Sequence, residues 1–130
     1  MKRVTAAILF KDGKVLIARR KQGQSHAGLW EFPGGKIEDS ETPQACLERE
    51  LEEELGLRVR AGRIIAESED HADHGSFIIL AVEAELVGGE ITLKVHDAFQ
   101  WASLQDLSTY RFAPADRDLI EKVLALRKQG

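Results

Sequence analysis

The chain has 130 residues, of which 43% are hydrophobic and 31% charged, and its formal net charge at pH 7 is −4. This composition fits one globular domain over residues 1–130 and excludes a fibrous or intrinsically disordered chain. Residues 37–54 hold eight acids and one arginine, and this concentration of negative charge argues against polymeric nucleic acid as a ligand.

The apolar segments argue against contact with a membrane. The longest of them, such as FIILAV at 77–82, are too short to cross a bilayer, and the N-terminal segment lacks the apolar stretch of a signal peptide. We therefore expect a cytoplasmic protein. The single cysteine, Cys46, has no partner for an internal disulfide, and its helical context favours a packed thiol over a reactive one.

The N-terminal part of the chain predicts a β-hairpin followed by a constrained loop. Two β-rich runs, 4–10 and 14–19, flank an Asp-Gly dipeptide at 12–13 that is typical of hairpin turns. A polar loop at 21–28 comes next. The run LWEFPGG at 29–35 then indicates a short strand that ends at a proline and two glycines, which allow unusual backbone conformations.

The next predicted element is a helix over 43–55 with signals at both ends. Thr42 has a hydroxyl that suits the N-cap, and Pro43 suits the first helical position, where its missing N–H costs nothing. Gly56 suits the left-handed residue that follows a helix.

The remaining sequence predicts three strands and a second helix. The strands are expected at 63–69, 77–86 and 98–104, with a Gly-Gly turn at 88–89. An amphipathic helix at 114–129 begins with a proline. Strands that alternate with two separated helices favour an α/β fold in which a mixed β-sheet lies between helices.

The helix at 43–55 carries an unusual acidic face. On a helical wheel its leucines form one apolar stripe, and three carboxylates lie together on the adjacent face, Glu50, Glu53 and Glu54. Like charges at these spacings cost an isolated helix about 0.2 to 0.5 kcal/mol per pair. A solvated acidic surface is one interpretation, and it adequately explains Glu48 and Glu52, which lie away from the other three.

A metal site is the alternative interpretation, and we favour it for Glu50, Glu53 and Glu54. The glycine backbone at Gly34 and Gly35 can present carbonyl oxygens. Three carboxylates and a carbonyl form an all-oxygen environment that suits Mg²⁺ or Mn²⁺. A bound cation would also relieve the repulsion among the glutamates.

The segment GKIEDSETPQACLERELEEELGL at 35–57 resembles the Nudix box. That box is a glycine, five residues, Glu, seven residues, Arg-Glu, an aliphatic residue, any residue, Glu-Glu, any residue, glycine and an aliphatic residue. The nine matching positions are Gly35, Glu41, Arg49, Glu50, Leu51, Glu53, Glu54, Gly56 and Leu57. The preceding EFPGGK and the C-terminal FAPADRDLIEKVLALR at 112–127 are similar to the MutT-type and CTP pyrophosphohydrolase branch.

The resemblance implies a Nudix-type α/β/α sandwich and a hydrolase. Nudix enzymes cleave a nucleoside diphosphate linked to another moiety, and the MutT branch converts a nucleoside triphosphate to the monophosphate and pyrophosphate. The implied partner is therefore a nucleoside triphosphate, and the implied cofactor is Mg²⁺, with Mn²⁺ as an alternative. Such chemistry requires a water in line and cations on the crowded phosphate oxygens.

The box also implies roles for individual residues. By resemblance, Glu53 and Glu54 bind the metal together with the carbonyl of Gly34. Glu50 either binds the metal or orients and deprotonates the attacking water. Glu41 is implied as an outer-shell contributor.

Two arginines are implied in the site as well. By resemblance, Arg49 pairs with a box glutamate, and Arg20, at the end of LIARR, contacts the substrate phosphates. A surface ion pair between Arg49 and Glu53, four residues further on, is the alternative, and an exposed pair of this kind gives little stability. The alternative for Arg20 is an ordinary exposed arginine.

The chain departs from the family pattern at one position. Many relatives carry a glutamate six residues before Trp101 as a further metal ligand or base, but this chain has Val95 there. His96 and Asp97 are candidates to replace it, and we favour Asp97 because a carboxylate is the better Mg²⁺ ligand. An exposed acid without function is the alternative for Asp97.

Asp116 and Phe77 are the predicted contacts for the nucleobase. Asp116 lies where MutT-like enzymes place an asparagine or aspartate that reads the base. An ionised aspartate only accepts hydrogen bonds, so we expect a preference for base edges that present donors, as in cytosine, guanine and 8-oxoguanine. Alternatively, Asp116 only stabilises the positive end of its helix, and Phe77 only fills the core.

The remaining conspicuous residues are given structural interpretations. His71, Asp73 and His74 lack the spacing of a metal-ligand set, so we predict a polar loop near the mouth of the substrate site rather than a zinc site. Trp101 is predicted as a core residue, whereas Trp30 is ambiguous.

Three functions are compatible with these observations. The first is a MutT-branch enzyme that removes modified or surplus nucleotides, such as 8-oxo-dGTP or CTP, as a monomer or homodimer. The second is a Nudix hydrolase of another nucleoside diphosphate derivative, and the third is a non-catalytic Nudix regulator. The complete glutamate set disfavours the third. The second is disfavoured because the prolines lie only at 33, 43 and 114 and the single tyrosine at 110, away from the markers of the ADP-ribose and diadenosine polyphosphate branches.

Overall fold

A computed structural model describes residues 2–72 and 75–129, with side chains over 2–70 and 75–126. It contains six β-strands, two α-helices and a 3₁₀ helix at Leu104–Thr109. The strands are β1 Lys2–Lys11, β2 Lys14–Arg20, β3 Trp30–Glu31, β4 Leu57–Ala72, β5 Gly75–Gly89 and β6 His96–Ser103, and the helices are α1 Pro43–Leu55 and α2 Pro114–Gln129. The hairpin and both helices therefore agree with the sequence-based prediction.

The strands form one mixed sheet in the order β3-β2-β1-β5-β4, with β6 paired to β2. Strand β1 runs parallel to β5, and the other pairs are antiparallel. At its start β2 pairs with β1, while near its end Ala18 and Arg19 pair with β3. This arrangement brings the ends of β2, β3 and β6 close together.

The two faces of the sheet are covered by different helices. Alternate residues of β1 point to opposite faces. Ala6 and Ile8 belong to the buried cluster that includes Leu119 of α2, whereas Ala7 and Leu9 belong to the cluster that includes Leu51 of α1. The predicted α/β/α sandwich with a mixed sheet between helices is therefore confirmed.

Helix α1 begins and ends as the sequence predicts. The Thr42 hydroxyl accepts a hydrogen bond of 3.0 Å from the backbone N–H of Ala45. Gly56 adopts a left-handed φ of 71°, and its N–H donates to the carbonyl oxygen of Glu52. The Glu48 carboxylate accepts a 2.9 Å hydrogen bond from the N–H of Ala61, which ties the helix to β4. The acidic face of α1 is thus held in a defined position.

One predicted turn is extended strand in the structure. Gly88 and Gly89 are the last residues of β5 and pair with Arg58 and Leu57, so the predicted Gly-Gly turn is wrong. Strand β4 begins at Leu57, well before the start predicted at residue 63, because Leu57 and Arg58 pair with these two glycines.

The described part of the polar loop predicted around His71 is strand. The backbone of β4 continues through His71 to Ala72, and β5 begins at Gly75. Asp73 and His74 lie outside the described residues. Over the two described ranges, no helix is long and apolar enough to span a membrane.

Candidate functional site

The glycine pair brings the loop before α1 into close contact with β1 and with α1. The N–H groups of Thr5 and Ala7 donate to the carbonyls of Gly35 and Pro33 at 2.8 and 2.7 Å. A Cβ atom at Gly34 would overlap the backbone of Thr5. Only glycine therefore allows this approach of the loop to the strand.

Gly35 allows a close approach of the loop to α1, whereas Gly34 allows the approach to β1. A Cβ atom on Gly35 would overlap the carboxylate of Glu50, which lies directly against the loop. Cys46 packs underneath, fully buried, with its sulfur 3.5 Å from the Gly35 carbonyl oxygen. Burial raises the pKa of the Cys46 thiol, which agrees with the prediction of a packed, unreactive cysteine.

Arg49 joins three carboxylates of the box. Its Nε and Nη2 atoms donate to the two oxygens of Glu41 at 2.7 and 2.9 Å. Its Nη1 donates to Glu50 at 2.9 Å and to Glu53 at 3.3 Å. The guanidinium of Arg49 holds the pKa of Glu41 at about 2. The expected pairing of Arg49 with a box glutamate is thus present, and it is more extensive than a single surface ion pair.

Glu54 is half-buried, and one of its carboxylate oxygens is buried without a partner among the described residues. Its Oε2 atom is inaccessible to solvent and accepts no hydrogen bond from the described residues. Burial, followed by the charges of Glu50 and Glu31, raises the pKa of Glu54 to about 8. An unpaired buried carboxylate beside a second carboxylate is costly unless a proton or a cation neutralises it.

The donor set fits a divalent cation with a preference for oxygen. It comprises carboxylates and backbone carbonyls, which are the ligands of Mg²⁺ and Mn²⁺. Across the described ranges, no group of three or more acidic, histidine or cysteine side chains is close enough together to hold a metal ion without rearrangement. Arg49 holds Glu50 and Glu53 in this structure, and the side chain of Glu53 is 60% exposed.

A cavity of about 290 Å³ brings together residues predicted from distant parts of the sequence. Five predicted site residues line it, Arg20, Gly34, Glu54, Phe77 and Asp116. These residues come from β2, the glycine loop, α1, β5 and α2. One cavity therefore joins a glycine and a glutamate of the acidic site to the residues predicted to contact phosphate and base.

Arg20 is held at the wall of this cavity by three acceptors. Its Nη1 donates to Glu31 at 3.3 Å, its Nη2 to Gln24 at 3.2 Å and its Nε to the Ser25 carbonyl at 3.2 Å. Its side chain is 18% exposed, which contradicts the alternative of an ordinary exposed arginine.

Glu31 is a cavity residue that the sequence reasoning missed, and it contacts His96, one of the two candidates named for the role of the glutamate that is absent at Val95. Glu31 lines the cavity, and the Nε2 atom of His96 lies 2.8 Å from its Oε2 atom. The His96 side chain is fully buried. In the sequence, Glu31 is marked only by its place within LWEFPGG, and His96 only by its place next to the proposed ligand Asp97.

The burial of Asp116 disfavours its ionised form, which the sequence-based expectation assumes. Asp116 is 8% exposed, and burial, followed by the charges of Glu31 and Asp70, raises its pKa to about 8. At neutral pH its carboxyl group is therefore largely protonated. In that form it both donates and accepts a hydrogen bond.

Asp97 is engaged away from the cavity. Its Oδ1 atom accepts a 2.7 Å hydrogen bond from Nε of Arg19, and its side chain is 40% exposed. It does not line the cavity that contains Glu54. The metal-binding role of Asp97 stays a prediction, and this ion pair favours the alternative of an exposed acid.

The aromatic residues have mixed positions. Phe77 lines the cavity and also packs against the core cluster on the α2 side. Trp30 lines the cavity too, with its ring edge-on to Tyr110 at a centroid distance of 5.1 Å. Trp101 is partly buried and packs against the cluster on the α1 side, so it lies at the edge of the core rather than within it.

Comparison with known proteins identifies the family to which this chain belongs. The family model described as NUDIX domain matches residues 1–123. The CTP pyrophosphohydrolase of Escherichia coli (strain K12) is 38% identical over 124 residues, which cover 95% of this chain and 92% of that protein. The 8-oxo-dGTP diphosphatase of Haemophilus influenzae is 32% identical over 124 residues, with coverages of 93% and 90%.

A solved structure agrees with this result. The structure described as the solution structure of the E. coli ORF135 protein superposes with a TM-score of 0.88 at 38% identity, covering 98% of this chain and 91% of that one. The chain belongs to the Nudix family. More specifically, it is a Nudix hydrolase of the MutT type, as the resemblance of the box implied.

Proposed function

We propose that this protein is a Mg²⁺-dependent pyrophosphohydrolase that converts a nucleoside triphosphate and water to the monophosphate and pyrophosphate. The supporting observation is the single cavity lined by Gly34 and Glu54 of the acidic site, by Arg20 and by Asp116. A ligand that fills this cavity must contact the Glu54 carboxylate, the Arg20 guanidinium and the Asp116 carboxyl group. A nucleoside triphosphate can do so in one molecule, because its phosphates suit a cation at Glu54 and the guanidinium of Arg20 while its base suits Asp116.

Glu50, Glu53, Glu54 and the Gly34 carbonyl would hold the Mg²⁺, and the same oxygen donors also suit Mn²⁺. Bound there, the cation would neutralise phosphate oxygens and lower the pKa of a coordinated water. The buried, unpaired oxygen of Glu54 supports this assignment, because a cation would replace the missing partner.

The other box residues position this set. Arg49 keeps Glu50 close to the glycine loop and links it to Glu41. In the proposed reaction, Glu50 binds the cation or accepts the proton of the attacking water, and Arg20 binds the substrate phosphates. Since phosphoryl transfer is catalysed mainly by positioning and charge neutralisation, these contacts account for most of the protein's contribution.

Asp116 and Phe77 would bind the nucleobase. The protonated Asp116 carboxyl presents a donor and an acceptor, and this pattern matches the edges of cytosine and of guanine or 8-oxoguanine. The names of the two relatives, a CTP pyrophosphohydrolase and an 8-oxo-dGTP diphosphatase, support the same candidates. The proposed role is the removal of modified or surplus nucleotides.

The decisive experiment is a comparison of kcat/KM over a panel of ordinary and oxidised nucleoside triphosphates with Mg²⁺. Products are identified as monophosphate and pyrophosphate by chromatography, and Glu53→Gln serves as the inactive control. We expect CTP or 8-oxo-dGTP, the nucleotides in the names of the two relatives, to give the highest kcat/KM. Hydrolysis of ADP-ribose or a dinucleoside polyphosphate in preference to every triphosphate would contradict the proposal.

A further inference from the structure

A chain of hydrogen bonds runs from β6 through β3 to β2 at the wall of the cavity. The Nε2 atom of His96 lies 2.8 Å from Oε2 of Glu31, and the same oxygen accepts a 3.3 Å hydrogen bond from Nη1 of Arg20. Glu31 and Arg20 line the cavity, whereas His96 is not among its lining residues. The His96 side chain therefore reaches the cavity through Glu31.

The imidazole of His96 is oriented by this one contact. A carboxylate only accepts hydrogen bonds, so Nε2 must carry the hydrogen and donate it to Glu31. The other ring nitrogen, Nδ1, is buried and has no partner among the described residues. A leucine would fill similar space without an unpaired nitrogen, so packing alone does not account for a histidine here.

A bulge in the pairing of β2 with β6 sets this geometry. The register shifts between Arg19 and Arg20, and Arg20 lies opposite His96. The two arginines on either side of this shift make different contacts. Arg19 pairs with Asp97, and Arg20 pairs with Glu31. Bulges commonly redirect a side chain in this way.

The charges around Glu31 explain why its position needs a buried donor. Glu31 lies near enough to Glu54 and Asp116 to raise the pKa of both, so the Glu31 carboxylate is repelled by either group when that group is ionised. His96 and Arg20 hold the Glu31 carboxylate against this repulsion. Without the His96 donor, Glu31 would be free to turn, and the guanidinium of Arg20 would lose a fixed acceptor.

We propose that His96 is a positioning residue for substrate binding, which fixes Glu31 and thereby the Arg20 guanidinium without touching the substrate. The inference rests on the proposed function, since it takes Arg20 as the ligand of the substrate phosphates. It predicts that His96 controls affinity for the phosphate chain, while the acidic site that performs the chemistry is unaffected.

The first test compares two substitutions of His96. His96→Leu removes the donor, so KM for the preferred nucleotide rises about tenfold, as expected for loss of one charge-assisted hydrogen bond, while kcat stays within about twofold. His96→Gln keeps an N–H donor and recovers most of this loss. Gln100→Leu, an exposed position on the same strand, is the matched control and leaves both constants unchanged.

A double-mutant cycle separates positioning from a general structural effect. In the Arg20→Ala background, His96→Leu should produce no further rise in KM, because the residue through which it acts is gone. If the two effects multiply instead, or if kcat falls with an unchanged KM, the inference is wrong. Should His96→Leu fail to fold, Glu31→Leu takes its place in the same cycle.

Binding of inorganic tripolyphosphate, measured by calorimetry with Mg²⁺, distinguishes this inference from the proposed function. We expect His96→Leu and Arg20→Ala to weaken tripolyphosphate binding by similar factors of about ten. If no nucleoside triphosphate is hydrolysed but this parallel loss is found, the proposed function fails and the inference stands. Equal affinity of wild type and His96→Leu for tripolyphosphate overturns the inference, whichever nucleotide is hydrolysed.

Discussion

The guanidinium of Arg49 holds the carboxylate of Glu41 through two parallel hydrogen bonds, with Nε and Nη2 at 2.7 and 2.9 Å from the two oxygens. Its remaining nitrogen, Nη1, is thereby aimed at Glu50 and Glu53. Glu41 thus fixes the arginine, and the arginine fixes two of the proposed metal ligands. A planar fork with several donors is required for such a contact, and lysine lacks it.

Arg49→Lys is therefore expected to keep the charge but to lose the geometry. We predict a fall in kcat of about 10- to 100-fold, as is typical when a group that orients metal ligands is removed, with little change in Tm. Arg63→Lys, which alters an exposed arginine paired with Glu83, is the matched control and should retain full activity. A kcat for Arg49→Lys equal to that of wild type would show that Arg49 forms only a surface ion pair.

The local parts of this structure were predictable because their signals lie next to one another in the sequence. Thr42 and Gly56 define both ends of α1, and the spacing of the box glutamates places them on one helical face. Contacts between distant segments were not predictable. Gly88 is strand because Arg58 pairs with it, and no residue near Gly88 in the sequence signals that pairing.

The same limit applies to the site. The type and position of Asp116 were read from the sequence, but its protonation depends on burial and on Glu31 and Asp70, which come from other elements. The link from His96 to Arg20 likewise requires three strands to meet. Sequence patterns identify which residues carry the chemistry, whereas their electrostatic state follows from the tertiary fold.

The two loop glycines should respond differently to alanine. A Cβ at Gly34 would meet the rigid backbone of Thr5, while one at Gly35 would meet the flexible side chain of Glu50. Gly34→Ala is thus expected to lower Tm by about 5 °C or more, because backbone must shift. Gly35→Ala should displace the Glu50 carboxylate and lower kcat about tenfold, with a much smaller change in Tm. Thermal melts and kinetics on both variants test this, and the reverse ordering would contradict the contacts.

The box glutamates are expected to differ sharply from their neighbour on the same helix. Glu53→Gln and Glu54→Gln preserve shape but remove charge, so kcat should fall by at least about 100-fold with the fold intact. Glu52→Gln, at an exposed position of α1, should have no effect. Treatment with EDTA should abolish activity, and Mg²⁺ should restore it. Full activity after EDTA treatment would refute the proposed metal site.

Asp97→Asn tests whether this residue replaces the glutamate that the chain lacks at Val95. Because Asp97 pairs with Arg19 and does not line the cavity, we expect kcat and the Mg²⁺ concentration for half-maximal activity to stay within about twofold. A loss of tenfold or more in metal affinity would instead establish Asp97 as a ligand.

Asp116 should make both stability and base preference depend on pH. Its pKa is about 8 in the folded protein, against an ordinary value of 3.8, so between these values the folded state binds more protons than the unfolded state. Stability therefore falls as pH rises through this window. Asp116→Asn removes the titration, and its Tm relative to wild type should increase as pH rises towards 8. A Tm difference that is constant with pH would contradict the raised pKa.

Base preference should change over the upper part of the same range. At about pH 6.5 the protonated carboxyl of Asp116 and the amide of Asp116→Asn each present a donor and an acceptor, so both proteins should rank cytosine and guanine nucleotides alike. At about pH 9 the wild-type carboxylate only accepts, so its kcat/KM should shift towards the base edge with more donors, while the ranking by Asp116→Asn stays fixed. If neither protein changes its ranking with pH and only Tm differs, Asp116 stabilises its helix and does not read the base.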